Sequence, residues 1–182
     1  MFEQYRDKTR ILVLGSALQS LILHILNFHG KEVDIVSQAP ADPSNNDFAI
    51  MVTDDLDLAT VFRPNLALLT INVPSGHAVP VLKRIVAGGV LIYPENSEDL
   101  LHSLDGIPNY FRKVPYSATT CVQEGKSAIW ETDWGRLPLP FADPQVTEHL
   151  EGIKLLCQQL GMMEEPFYEA LMNFNAAEKT IP

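Results

Sequence analysis

Four short and almost unbroken apolar runs constrain this chain more than any other feature: Ile11-Leu-Val-Leu14, Phe48-Ala-Ile-Met-Val52, Leu66-Ala-Leu-Leu-Thr-Ile71 and Val90-Leu-Ile-Tyr93. A strand with one wet face alternates polar and apolar residues, whereas a strand covered on both faces reads as a continuous run. Val33-Asp-Ile-Val36 adds a weaker fifth segment. Helical stretches lie between them. Ala17 to His29 puts Leu21, Ile25 and Phe28 on one face and ends at Gly30, Val79 to Ala87 runs into Gly88-Gly89, and Glu98 to Leu104 makes a third. Ala39 to Asp47, with its prolines and asparagines, is a surface loop. The pattern predicts an α/β fold, a mainly parallel sheet flanked by helices on both sides.

The texture changes after Tyr110. Phe111-Arg-Lys-Val-Pro-Tyr116 and Ser127-Ala-Ile-Trp-Glu-Thr132 suit edge strands and hairpins, so a small antiparallel part is expected near residues 110–140. Asp143-Pro144 then supplies an N-cap followed by Pro in the first turn, opening a helix through Val146, Leu150, Ile153 and Leu160 to Gly161. Glu165-Pro166 begins a last helix carrying Phe167, Leu171 and Phe174. With 182 residues, 46% of them hydrophobic and 20% charged, the chain has the material for one folded domain over 1–182. Its 23 acidic and 13 basic residues give a net charge of −10, and no stretch gathers Lys and Arg, so nucleic acid is not an expected partner. Cys121 and Cys157 lie far apart with no metal-spaced His and read as reduced structural thiols. The segment from Met1 to Arg10 is charged, and the apolar stretch from Leu18 to Phe28 is broken by Gln19, Ser20, His24 and Asn27. No signal peptide, no membrane span and a cytoplasmic location are therefore expected.

In a parallel sheet, ligands bind at the carboxyl ends of the strands, and the turn after the first strand is the usual phosphate cradle. That turn reads Gly15-Ser-Ala-Leu-Gln-Ser20. A dinucleotide fingerprint needs three glycines and a P-loop needs Gly-Lys before its Ser or Thr, but Leu18 and Gln19 stand at those places and only Ser20 fits. Ser16 and Ser20 either cap the following helix or take part in accepting an anion at its N-terminus. Asp54, Asp55 and Asp57 follow the third strand and either hold magnesium or form a solvated loop. His77, after the fourth strand, is a candidate ligand or acid–base group. His24 and His29 read as packing or helix-end contacts, and His102 and His149 as solvated. Trp130, Trp134 and the Leu137 to Phe141 segment form a partner surface or pack beneath the final helices.

The turn from Gly15 to Ser20, the following Leu21-Ile-Leu-His-Ile-Leu-Asn-Phe-His-Gly30 and Lys31-Glu-Val-Asp34 resemble the P-loop and first helix of the central ATPase domain of the Mur ligases. The resemblance continues through Arg63 to Thr70, Gly88 to Tyr93, the helices from Asp143 to Leu171 and Phe174 to Lys179, which is most of the chain. It implies that domain alone, with the N-terminal UDP-binding and C-terminal ligase domains absent. Carried across, the P-loop Gly and Lys fall on Leu18 and Gln19, and the magnesium-binding Glu falls near Val52. The Asp-His pair falls on Val73 to His77, the adenine-side residues fall near Pro144, Gln145 and Glu148, and the later Arg falls on Thr180. Gly15, Ser16, Gln19 and Ser20 are thereby a vestigial nucleotide site, with Asp54, Asp55 and His77 as metal or acid–base remnants and no catalytic residue. The expected function is a non-catalytic binding or regulatory module without a cofactor, partnered by a full-length Mur ligase or by a second copy. The alternative is an ATP- and magnesium-dependent amide-bond ligase of cell-wall peptide synthesis or recycling that works with another chain. A small Rossmann oxidoreductase fits less well, because the glycines and the acid after the second strand are missing.

Overall fold

The computed structural model describes residues 2–39, 42 and 44–175. Two compact units are found. One holds the residues up to Ser16 together with Glu32–Ser117, and the other holds Ala17–Lys31 with the chain from Ala118 onward.

The first unit is built on strands β1 (Thr9–Leu14), β2 (Asp34–Ile35), β3 (Phe48–Thr53), β4 (Leu66–Leu69), β5 (Val90–Pro94) and β6 (Arg112–Tyr116). They lie in the order β2-β3-β1-β4-β5-β6, every pair parallel. The continuous apolar runs explain this arrangement. Leu12, Leu14, Ala49, Met51 and Ala67 point into one core with Phe62, while Ile11, Val13, Ile50 and Leu68 between them are equally buried on the opposite face. Full burial of each such Leu, Ile or Met contributes about 1.5–3 kcal/mol. Charged or polar residues at alternate positions would forfeit half of that.

β6 departs from expectation. It adds in parallel to β5, with Val90 opposite Arg112 and Pro94 opposite Tyr116, and is not part of the antiparallel region. Tyr116 anchors it, buried with its hydroxyl donating to the Leu69 carbonyl at 2.9 Å, while Arg112, Lys113 and Pro115 stay exposed on the sheet edge. Three helices complete the unit: α2 (Leu56–Phe62), α3 (Ser75–Leu82) and α4 (Glu98–Asp105). α2 replaces the charged loop expected there. α3 starts four residues earlier than predicted and does not reach Ala87, because beyond Lys83 the chain closes in tighter turns, Arg84 N–H to Val81 and Ile85 N–H to Leu82.

The second unit contains α1 (Gln19–Phe28), the antiparallel strands β7 (Cys121–Glu124), β8 (Ser127–Thr132) and β9 (Gly135–Leu139), and helices α5 (Pro144–Thr147), α6 (Leu150–Gln159) and α7 (Glu164–Met172). The buried stripe of α1 is Leu21, Ile22, Ile25 and Leu26, and Phe28 is left exposed beside the His24 and His29 rings. The helix expected from Asp143 to Leu160 is two helices. Asp143 caps α5 by accepting from Gln145 N–H, as its sequence predicts. Between α5 and α6, Thr119 N–H donates to the Glu148 carbonyl and Thr119 Oγ accepts from Glu151 N–H, so the break is held from a distant strand connection. His149 sits at that break and is buried, not solvated. Phe174 lies beyond the end of α7, edge-on to the His24 and Phe141 rings. Among the described residues no helix is long and apolar enough to cross a membrane.

Candidate functional site

β1 lies between β3 and β4 with Leu14 opposite both Thr53 and Leu69, so the chain leaves three strands at one level. Gly15 is the first residue out. Its N–H donates to the Thr53 carbonyl at 3.2 Å, and its φ of +150° is one that glycine adopts freely. A Cβ here would lie 2.3 Å from Thr70 Cγ2. Thr70 cannot yield easily, since its N–H and its hydroxyl both donate to the Leu14 carbonyl, at 3.1 and 2.8 Å. Gly15 is thus required by close approach, which is what the first glycine of a phosphate turn also provides.

The next residue does something other than wait for a phosphate. Ser16 N–H donates to Asp54 Oδ1 at 3.0 Å, and Ser16 Oγ donates to the other oxygen of the same carboxylate. Backbone N–H groups at such a turn are the donors an incoming anion would seek. Here an anion belonging to the chain already holds one of them, through the charge-assisted pairing that makes such bonds short and strong.

Asp55, one residue on, has a different task. It is the N-cap of α2, accepting from Leu58 N–H at 3.0 Å, while its own N–H donates to Thr53 Oγ1. Asp57 is exposed in the first turn of the same helix. His77 is exposed near the start of α3, and among the described residues its side chain engages none of these groups. Gly15, Ser16 and Asp54 are therefore brought together, whereas Asp55 caps its own helix and His77 stands apart from them. Among the described residues no group of three or more His, Cys, Asp or Glu is arranged to hold a metal.

Leu18 is completely buried at the N-cap position of α1, and Gln19 and Ser20 are exposed in the first turn. No side chain caps that helix, so neither serine has the capping role open to it from sequence. Pro144 and Gln145 lie in α5 with Glu148 just after it, all exposed, Val52 is an ordinary member of β3, and Thr180 lies outside the described residues. His24 and His29 donate from Nε2 to the Ala170 and Pro166 carbonyls at 3.0 and 2.7 Å, the packing contacts expected of them. Burial drives the His149 imidazole down to about 4 and the Cys157 thiol up to about 12, so one stays neutral and the other stays unreactive near pH 7.

Trp130 and Trp134 differ in burial. Trp130 is buried edge-on to Tyr168, with Lys154 Nζ 5.6 Å from its ring. That ammonium also pairs with Glu151 at 2.9 Å and Glu164 at 3.4 Å. Burial alone would depress it, but the Glu151 hydrogen bond and the nearby acids hold it above the usual lysine range. Trp134 is 65% exposed with its indole N–H donating to Glu164 at 3.1 Å, beside a groove of about 570 Å³ that Met162, Met163 and Pro166 also line.

The pairing of Ser16 with Asp54 was not read from the sequence. The signal exists all the same, since two neighbouring parallel runs of equal length place the residues that follow them side by side. No known sequence family and no curated protein matches the chain. Solved structures do. MurF from Acinetobacter baumannii superposes with a TM-score of 0.72 at 16% identity, over 97% of this chain and 48% of that one. The UDP-N-acetylmuramate:L-alanyl-gamma-D-glutamyl-meso-diaminopimelate ligase from Neisseria meningitides gives 0.71 at 14%, over 96% and 68%. MurF ligase from Thermotoga maritima, solved in complex with ADP, gives 0.66 at 13%, over 99% and 51%. The chain thus spans about half the length of the MurF proteins. A six-stranded parallel sheet with a small antiparallel sheet, a glycine turn after the central strand and these superpositions together establish that the chain has a Mur-ligase-like fold.

Proposed function

We propose that this chain acts by binding, as a Mur-ligase-like module whose nucleotide turn is closed by its own carboxylate. The observation that carries the reading is the double contact of Asp54 with Ser16 N–H and Oγ. Phosphoryl transfer relies almost entirely on positioning and on neutralising charge. At this turn the amide is taken by an anion, the P-loop lysine position is the neutral Gln19, and the glycine position is the fully buried Leu18. An arriving phosphate would have to displace a carboxylate and then meet its charge. The partner in this reading is a full-length Mur ligase or a second copy, the role is regulatory, and no cofactor is required.

One observation favours a second reading: a structural neighbour was solved with ADP bound. In that reading Ser20 and the Asp54 to Asp57 acids hold magnesium, and another chain supplies the cation that Gln19 does not. ATP would phosphorylate a carboxylate, and an amine would then displace phosphate from the acyl phosphate, forming the C–N bond as the C–O bond breaks.

Calorimetric titration with ATP and magnesium separates the two. The wild-type chain is expected to show no saturable binding at this turn, while Asp54→Ala combined with Gln19→Lys is expected to gain it. Submillimolar binding by the wild type that Asp54→Ala leaves unchanged would overturn the binding-module reading. Leu18→Gly is unsuitable for restoring the motif, because removing a fully buried leucine costs roughly 2–5 kcal/mol before any gain at the site.

A further inference from the structure

The sequence Gly161-Met-Met-Glu-Glu-Pro166 places two methionines and two glutamates where α6 passes into α7. Gly161, at φ +79°, turns the chain out of α6, its N–H donating to the Gln158 carbonyl and Met162 N–H to the Cys157 carbonyl, both at 3.0 Å. Met162 is thereby folded inward and buried, while Met163 stands at the N-cap of α7 and is 76% exposed. A methionine offers no oxygen to the free N–H groups of a helix start, where Ser, Thr, Asp or Asn would serve better. The same side chain leaves its apolar surface in water.

Trp134, at the turn between β8 and β9, lines the same groove of about 570 Å³ as the two methionines, Pro166 and both glutamates. Its indole is exposed yet held in place. The N–H donates to Glu164 at 3.1 Å, Lys154 pairs with that carboxylate at 3.4 Å, and the Tyr168 ring lies 6.5 Å away, edge to face. The one polar atom of the indole is therefore used, and the ring offers only apolar and π surface. A fixed tryptophan beside adaptable methionines is the combination that anchors a partner. The rim is acidic: Glu165 is exposed, Glu164 partly so, and among the described residues no Lys, Arg or His lines the groove. Lys154, the cation behind Glu164, is already committed to Glu151 and Glu164. An indole face beside carboxylates attracts an ammonium or guanidinium group, and a mostly apolar groove of this volume has room for an aliphatic side chain beside it. A second copy of this chain fits less well, because its net charge of −10 meets the acidic rim with the same sign.

We propose that this groove docks a segment of a partner protein in which one large aliphatic side chain is flanked by lysine or arginine. The aliphatic group lies against Met162, Met163 and Pro166, and the flanking cations meet Glu165 and the Trp134 ring. No residue of the turn after β1 takes part, so the proposal stands or falls separately from the reading of that turn.

The test follows the indole N–H resonances of the isotopically labelled full chain, that of Trp134 identified by its loss in Trp134→Phe, during titration with the peptide acetyl-Ala-Lys-Leu-Lys-Ala-amide. Saturable movement of the Trp134 resonance is expected, with the resonance of the buried Trp130 unmoved as a check on the fold. Replacing the leucine of the peptide by serine, or its lysines by glutamates, is expected to weaken binding roughly tenfold. In the protein, Met163→Ser and Glu165→Lys are each expected to weaken it about tenfold, and serine is a better N-cap than the methionine it replaces. Glu165→Lys should also turn the preference toward the glutamate-flanked peptide. No saturable movement, equal binding of the serine or glutamate peptide, or undiminished binding by the Met163→Ser, Glu165→Lys double variant would overturn the proposal. So would sedimentation of the peptide-free wild type as a dimer that Trp134→Ala dissociates, which would make a second copy the occupant. None of these readouts involves ATP, so a failure here leaves the titration at the nucleotide turn untouched.

Discussion

The two ends of the parallel sheet answer their polar groups in opposite ways. At the carboxyl end, the amide and hydroxyl of Ser16 are met by Asp54, and the Leu14 carbonyl is met twice by Thr70. At the amino end Arg10 Nε is buried without an acceptor, and Arg6 and Arg63 beside it have no ion pair among the described residues. Ligands of open α/β sheets ordinarily bind at the carboxyl ends of the strands. Here that end is satisfied from within, and the unmet demand lies at the other. The end where a fold ordinarily binds ligands and the end where a polar atom is left unmet are different here, and different residues set them.

The contrast is most severely broken by Gly15→Ala, which drives a Cβ into the Thr70 side chain. Urea denaturation should show a loss of roughly 2–5 kcal/mol from steric overlap and backbone strain, and adding Thr70→Ser should recover part of it by removing Cγ2 while keeping the hydroxyl. Acid titration reads a buried group of the second unit, His149. His149 has a folded value of about 4, below its ordinary 6.5, so the unfolded chain takes up a proton first as pH falls. Its contribution is constant above pH 6.5, drops by roughly 3 kcal/mol between 6.5 and 4, and levels off below. His149→Gln should flatten that limb.

Smaller effects sharpen the comparison between neighbours. Asp55→Ala removes the cap of α2 and should cost about 1 kcal/mol with no change in anion binding at the turn. Asp54→Ala should cost less than about 1 kcal/mol, because the pair is exposed, yet it alone frees the Ser16 amide. At the other end Arg6→Ala or Arg63→Ala should change stability by no more than about 0.5 kcal/mol, since both side chains are exposed and make no hydrogen bond or ion pair among the described residues. A larger loss on thermal or urea unfolding would show that these arginines are structural.

The strands were legible where burial on both faces left no room for polar residues, as in β1, β3, β4 and β5. β6 was not, because a sheet edge tolerates Arg112, Lys113 and Pro115 and so reads like a half-wet hairpin. α2 was hidden by the three acids around its start. Two of them suit a helix N-terminus, one as cap and one within the first turn, so the charge that suggested a solvated loop is the charge a helix start prefers. The glycine of the turn could be named from sequence, but its reason, Thr70, lies on another strand. Asp54 was singled out as a metal or acid–base remnant, whereas its partner is an amide 38 residues away. No local pattern marks His149 as buried, because what buries it is fixed only when the two short helices break apart.

The bonds of α1 have a consequence for synthesis. Its two histidines bond to carbonyls near the far end of the chain, one of them across 146 residues. At about 5–20 residues per second, a ribosome would hold α1 without these partners for roughly seven to thirty seconds. During that interval its stripe of Leu21, Ile22, Ile25 and Leu26 cannot reach its final surroundings in the second unit, although the strands of the first unit can already pair. The helix that follows the first strand is thus made early and placed last.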